Sequence, residues 1–275
     1  RQFARGGYYQ LTLPAAGHAR IVVINDIPMS RNFRACDGTA VPDAAQAQLQ
    51  WLRQTLSEAR TLQQPVWVVG HIPPGIEPWG SLKGQELCSR GRVLPLLADD
   101  QLSGLLGEYA DVVRLGIFGH THMDEFRVVA SMPLNSSEGV PLKVLPSITP
   151  SSGNRPAFTV ARIELSRAAL DDYEVFVASS PSAETFEWSA SYRFRRTYHM
   201  PSFSGHSLAF LAARFRADRG AVESASRAFR EAYSPRSYVL GSSLLAADAL
   251  WPQYACALDR LEARAFMQCA CKDVR

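Results

Sequence analysis

Two short segments constrain the fold of this chain more than anything else in it. Val66-Trp67-Val68-Val69-Gly70 is wholly apolar, and Val112 to Phe118 repeats the pattern with a single arginine. A strand without polar alternation is covered on both faces, as in a parallel sheet between layers of other structure. The surroundings agree. Tyr8 to Leu13 and Arg20 to Asn25 read as strands split by Pro14-Ala15-Ala16-Gly17, and Pro42-Asp43 opens a helix. Leu49, Leu52, Leu56 and Ala59 recur at helical spacing and form its core face. A Pro- and Gly-rich loop runs from Ile72 to about Gly91, and a second helix is expected over Val93 to Tyr109. Glu125 to Ala130, Leu142 to Leu145, Ala157 to Leu165 and Tyr173 to Ala178 then read as strands of period two. The expected class is α/β.

The pattern turns helical near residue 185. Trp188 to Tyr198, Ser204 to Ala217, Ala221 to Tyr233, Ser243 to Ala255 and Leu258 to Cys271 are the expected helices. Two units follow, 1–184 and a helical subdomain 185–275. The second carries 13 Lys and Arg against 8 Asp and Glu, a surplus that suits solvated helix faces or weak contact with an anionic membrane surface. Trp51, Trp188 and Trp251 fit helical core faces.

Composition narrows the function. The 275 residues are 47% hydrophobic and 20% charged, with a formal net charge of only +3, so nothing marks a nucleic-acid polymer as partner. No apolar run approaches the roughly 20 residues of a membrane span. Five cysteines, Cys36, Cys88, Cys256, Cys269 and Cys271, include no C-x-x-C pair, which argues against a zinc ribbon. In a secreted or periplasmic protein they would give two disulfides and one free thiol, expected as Cys36 with Cys88 and Cys256 with Cys269 or Cys271; buried thiols in a reducing compartment are the other reading.

The chemistry concentrates in histidine. Both apolar strands run into Gly-His: Val69-Gly70-His71-Ile72-Pro73-Pro74-Gly75 and Phe118-Gly119-His120-Thr121-His122. Strand ends are rigid mounts for a ligand, and neutral imidazole suits zinc, iron or manganese. In His120-Thr121-His122, a turn between the two rings lets them serve two adjacent ions. His18, His199 and His206 sit near turns or helix ends and read as surface residues. Asp124 and Glu125 read either as an exposed strand start or as groups that orient an imidazole.

These segments resemble the calcineurin-like metallophosphoesterases, and within them the acid sphingomyelinase-like phosphodiesterases. The resemblance rests on Gly6-Gly7-Tyr8-Tyr9, Gly70-His71-Ile72-Pro73-Pro74-Gly75, Gly119-His120-Thr121-His122-Met123-Asp124-Glu125-Phe126, and Pro146-Ser147-Ile148-Thr149-Pro150 before Gly153. It implies part of a two-sheet sandwich flanked by helices, holding two divalent metals, zinc above iron or manganese. It also implies His71 and His120 on one metal, His122 on the other, and hydrolysis of a phosphodiester such as a lipid headgroup or a nucleotide. Thr149, Ser151 and Asn154 are the expected substrate-facing rim.

The family's Asp-x-His, Gly-Asp and Gly-Asn-His motifs do not occur in this sequence. Asp26 closes a strand but matches none of those ligands. The chain therefore contributes no catalytic group beyond the three histidines. It reads as a fragment whose partner is the N-terminal half of the same domain, or as an inactive binding or interaction protein on the same scaffold.

Overall fold

The structure, a computed structural model, describes residues 2–14, 18–36, 42–82, 87–131, 139–151, 153–180, 187–233, 251 and 253–271. Strands β1 (Tyr9–Leu13), β2 (Ala19–Val23), β3 (Val66–Val69), β4 (Val113–Phe118), β5 (Glu125–Val129) and β6 (Val140–Val144) build a six-stranded sheet in the order β1-β2-β3-β4-β6-β5. The pairs β2–β3, β3–β4 and β4–β6 are parallel, while β1 and β5 lie antiparallel on the two edges. Strands β7 (Ala157–Glu164), β8 (Ala169–Ala178) and β9 (Trp188–Arg193) form a second, antiparallel sheet. This mixed α/β architecture is consistent with a metallophosphoesterase fold.

Both apolar segments form the buried parallel strands that their composition demands. Alternation along β3 divides its side chains between two cores. Val66 and Val68 face Leu49, Leu52, Leu56 and Ala59 of the helix Pro42–Thr61 and Leu102, Leu105 and Leu106 of the helix Gln101–Glu108. Trp67 turns the other way, toward β8 and the C-terminal helices, and its indole N–H donates to the Ala168 carbonyl at 2.5 Å.

Two elements differ from expectation. The helix foreseen over Val93 to Tyr109 is confined to Gln101–Glu108. Its intended first turns are extended instead, with Pro95 bridging Ile76, Leu97 bridging Ser30, and the Leu96 amide donating to Gly75. Trp188 to Tyr198 is strand β9 followed by the short helix Phe194–Tyr198, because β8 offers β9 an open edge. Trp188 accordingly stacks edge-on against Phe158 at 4.8 Å rather than lining a helix. The helices Gly205–Ala217 and Ser224–Tyr233 form close to expectation; the expected helix over Leu258 to Cys271 narrows to Ala263–Ala270, and of the expected helix Ser243 to Ala255 only 251 and 253–255 are described, the latter within the short helix Gln253–Cys256. The boundary drawn near residue 185 also falls outside them. Phe194, Leu208, Phe215, Phe229 and Trp251 share one core with Phe126 and Val128 of β5 and Tyr173 of β8.

The disulfides are Cys88–Cys271 and Cys256–Cys269, and Cys36 is an exposed free thiol. The expected Cys36–Cys88 bridge is thus replaced. Cys88 lies on a short helix beside Leu87, and Leu87 packs with Ile76, Phe266 and Ala270 near the C-terminus. That apolar contact sets which thiols meet. Two disulfides suit an oxidising, extracellular environment. No helix among the described residues is long and apolar enough to cross a membrane.

Candidate functional site

Parallel pairing brings the two Gly-His motifs to one edge of the sheet. Val69 is in register with Ile117, and Phe118 with Val144, so the chain leaves β3, β4 and β6 at neighbouring C-terminal ends. That edge is where open α/β sheets gather their sites. The turns are also tied to each other: the Gly70 amide donates to Ile117 at 3.0 Å, and the Gly119 amide donates to the His71 carbonyl at 2.9 Å.

His71 and His120 converge. His71 Nε2 lies 3.4 Å from His120 Nδ1, with the rings nearly perpendicular at 83°. His120 and His122 both adopt left-handed backbone, φ 70° and 64°, on either side of Thr121. Such residues cost of order 1–3 kcal/mol each, and they persist where the surroundings force them. Burial, then the neighbouring His71, His122 and Arg127, push the His120 pKa down, which favours the neutral imidazole. His122 faces the loop after β6, where Ser151 Oγ meets its Nδ1 at 3.1 Å. That hydroxyl continues a row through Thr149 Oγ1 at 3.1 Å to Ser147 Oγ at 2.8 Å.

The expected rim divides. Thr149 and Ser151 are exposed on it. Asn154 is not on it: the side chain is buried beneath, and its amide donates to the His122 carbonyl at 2.9 Å and contacts the Met123 sulfur at 3.3 Å. The amide braces the turn from behind, which a polar residue does when a buried carbonyl needs a donor. His18, His199 and His206 are exposed, and His199 ends the helix Phe194–Tyr198 in left-handed backbone.

Asp124 and Glu125 are not an exposed strand start. Both are 2% accessible. Lys143 Nζ pairs with Asp124, whose other oxygen accepts from Tyr192 Oη at 2.7 Å, and Lys143 lies 4.8 Å from the Tyr173 ring. Glu125 pairs with Arg127 at 3.3 Å. Asp26 is the other residue whose part is hidden in the sequence. Its carboxylate is fully buried, and Oδ2 accepts the backbone N–H groups of His71 at 2.6 Å and Ile72 at 2.8 Å. Oδ1 has no partner. Burial pushes the Asp26 pKa up to about 6 against the opposing pull of the two amides.

The donor set can be compared with what a metal requires. Two imidazole nitrogens about 2.1 Å from one ion, at a tetrahedral angle, stand about 3.4 Å apart. The His71–His120 pair has that separation. Among the described residues, no group of three or more His, Cys, Asp and Glu is arranged around one ion. The pair fits one ion; residues for a bridged pair of ions are not assembled by the described residues alone.

No family model matches the chain. Its curated homologues are acid sphingomyelinase-like phosphodiesterases, part of the metallophosphoesterase family. Human acid sphingomyelinase-like phosphodiesterase 3b is 25% identical over 284 residues, 97% of this chain and 57% of that protein. Human sphingomyelin phosphodiesterase is 28% identical across 72% of the chain and 29% of its own length. Human cyclic GMP-AMP phosphodiesterase is 24% identical across 77% of the chain and 46% of its own length. The chain therefore spans between 29% and 57% of the length of these relatives.

Proposed function

We propose that this chain forms part of a metal-dependent phosphodiester hydrolase, in which His71 and His120 hold one divalent ion and His122 faces a second. The observation that carries the reading is the 3.4 Å convergence of two imidazole nitrogens at the edge of a parallel sheet. Zinc suits a neutral imidazole pair, with iron or manganese as alternatives. Bound ions would supply Lewis-acid stabilisation for charge on a phosphoryl group and make water more acidic. The chain's own residues hold two imidazoles in fixed positions, and they offer Ser151 and Thr149 hydroxyls beside His122 for a substrate's polar substituents. The carboxylate and asparagine ligands come, in this reading, from polypeptide beyond these 275 residues. The relatives named for sphingomyelin and for cyclic GMP-AMP make lipid headgroup and nucleotide phosphodiesters the substrate classes to test. The two disulfides support a secreted or periplasmic setting.

A second reading is favoured by the absence, among the described residues, of a carboxylate joining the histidines. The chain would then be a binding or interaction protein without turnover. Zinc titration of the 275-residue chain, followed by a chromogenic phosphodiester assay, separates the two. The expected result is weak zinc binding that His120→Ala reduces by about 100-fold, the loss of one good ligand, with background hydrolysis. Extending the chain with the upstream part of a relative then restores turnover. Zinc binding that survives His120→Ala overturns the ligand assignment. An extended chain that binds zinc and still turns nothing over selects the second reading.

A further inference from the structure

We propose that Arg127 is a positioning residue that couples the His71 turn to the strand emerging from the His120–His122 turn. Its guanidinium is wholly buried on β5, five residues after His122. Nη1 donates to the Pro74 carbonyl at 3.1 Å, and Nη2 donates to Glu125 Oε1 at 3.3 Å. The approach is so close that a Cβ on Gly75 would stand 2.6 Å from Nη1, and Gly75 takes φ 118°, a backbone open to glycine. Arg127 thus grips the far end of the Pro73-Pro74-Gly75 segment, while Gly119 grips its near end through the His71 carbonyl.

Stability alone is a poor account of this pair. Among the described residues, Arg127 Nε and Glu125 Oε2 are buried without hydrogen-bond partners, so the pair bears desolvation that its contacts there do not fully offset. An apolar pair of similar size would hold β5 against the core as well. What an apolar pair cannot do is reach across to Pro74 and fix the separation of two turns. The importance of that separation for function rests on the metal-site reading; the coupling itself does not.

The test compares the parent chain with Arg127→Met, Arg127→Lys and the double variant Glu125→Leu/Arg127→Met. The double variant removes both charges together and is therefore expected to stay folded even where the single Met variant does not. The readout is hydrogen exchange at the Gly119 amide, which reports contact between the turns without any metal, measured against the amides of Trp67 to Val69 in β3. In the double variant the thermal midpoint stays near the parent's, and Gly119 exchanges about tenfold faster or more relative to β3. Arg127→Lys, which keeps the charge without the two-pronged reach, recovers part of the protection. Gly119 protection that is unchanged, or that falls only in step with β3, overturns the proposal. Zinc titration of the parent is the separate control: a parent that binds no zinc removes the metal reading, and the Gly119 result still decides the part played by Arg127.

Discussion

The His71 turn and the His122 turn stand side by side and are held in opposite ways. The first is fixed from the interior. Asp26 takes both of its leading amides, and Arg127 takes its Pro74 carbonyl, so charged, water-excluded groups set the backbone. At the second, the contacts to His122 itself come from neutral groups: one buried amide, Asn154, behind, and a row of exposed hydroxyls in front. Charge-assisted bonds away from water are strong and costly to break, whereas neutral bonds at the surface exchange readily with solvent. The pairing gives the site one rigid wall and one adaptable wall.

The comparison can be attacked at its strong end first. Asp26→Ala orphans two backbone donors and is expected to lower stability by about 3 kcal/mol in urea denaturation, at about 1–3 kcal/mol for each unsatisfied group. Asp26→Asn keeps an acceptor oxygen and should be far milder. The carboxyl also gives stability a pH dependence. Because its pKa is raised from 3.8 to about 6 in the fold, the folded state retains its proton where the unfolded chain has lost it. The Asp26 contribution is full below about pH 4 and falls by about 3 kcal/mol as pH rises through 6, opposed in part by His120, whose lowered pKa adds stability as pH rises. Melts of the parent between pH 4 and 7 should show that fall, and Asp26→Asn should flatten it. A parent profile without the fall would remove Asp26 as the buried anchor. Next in size is Asn154→Ala, which leaves the His122 carbonyl with the longer Ser147 amide bond at 3.4 Å and should cost about 1 kcal/mol. The smallest effect belongs to Ser151→Ala, within about 0.5 kcal/mol in stability and no more than about tenfold in zinc affinity. A Ser151 variant as damaging as Asp26→Ala would erase the contrast between the two walls.

The strong wall was the harder to read from sequence. Apolar strands ending in Gly-His announce themselves, because burial on both faces leaves no room for polar residues. The helix core face at Leu49, Leu52, Leu56 and Ala59 was equally legible. Residues 93 to 97 misled because an apolar run near leucines has helical spacing, yet bridges to Ile76 and Ser30 took precedence over it. Asp124 and Glu125 looked solvated because charge next to a turn usually is. Their partners, Lys143 and Arg127, stand inside strands whose every position is buried. For Lys143, a lone cation within an apolar strand was the available signal that a buried anion waits nearby; Arg127 shares its strand with its own partner, Glu125. Asn154 carried no such sign, since an amide in a loop gives no hint of which side of the loop it serves. Cysteine connectivity was no more visible, since spacing along a chain does not say which helices will touch.

The Cys88–Cys271 bridge has a consequence for handling this molecule. It joins positions 183 residues apart, so it encloses both the second sheet and the shorter Cys256–Cys269 link within one covalent ring. A protease that nicks a single bond inside that ring opens it without releasing either piece. The cut chain would migrate as an intact species on a gel until a reductant is added, and the segment following the His71 turn would remain tethered to the far terminus throughout.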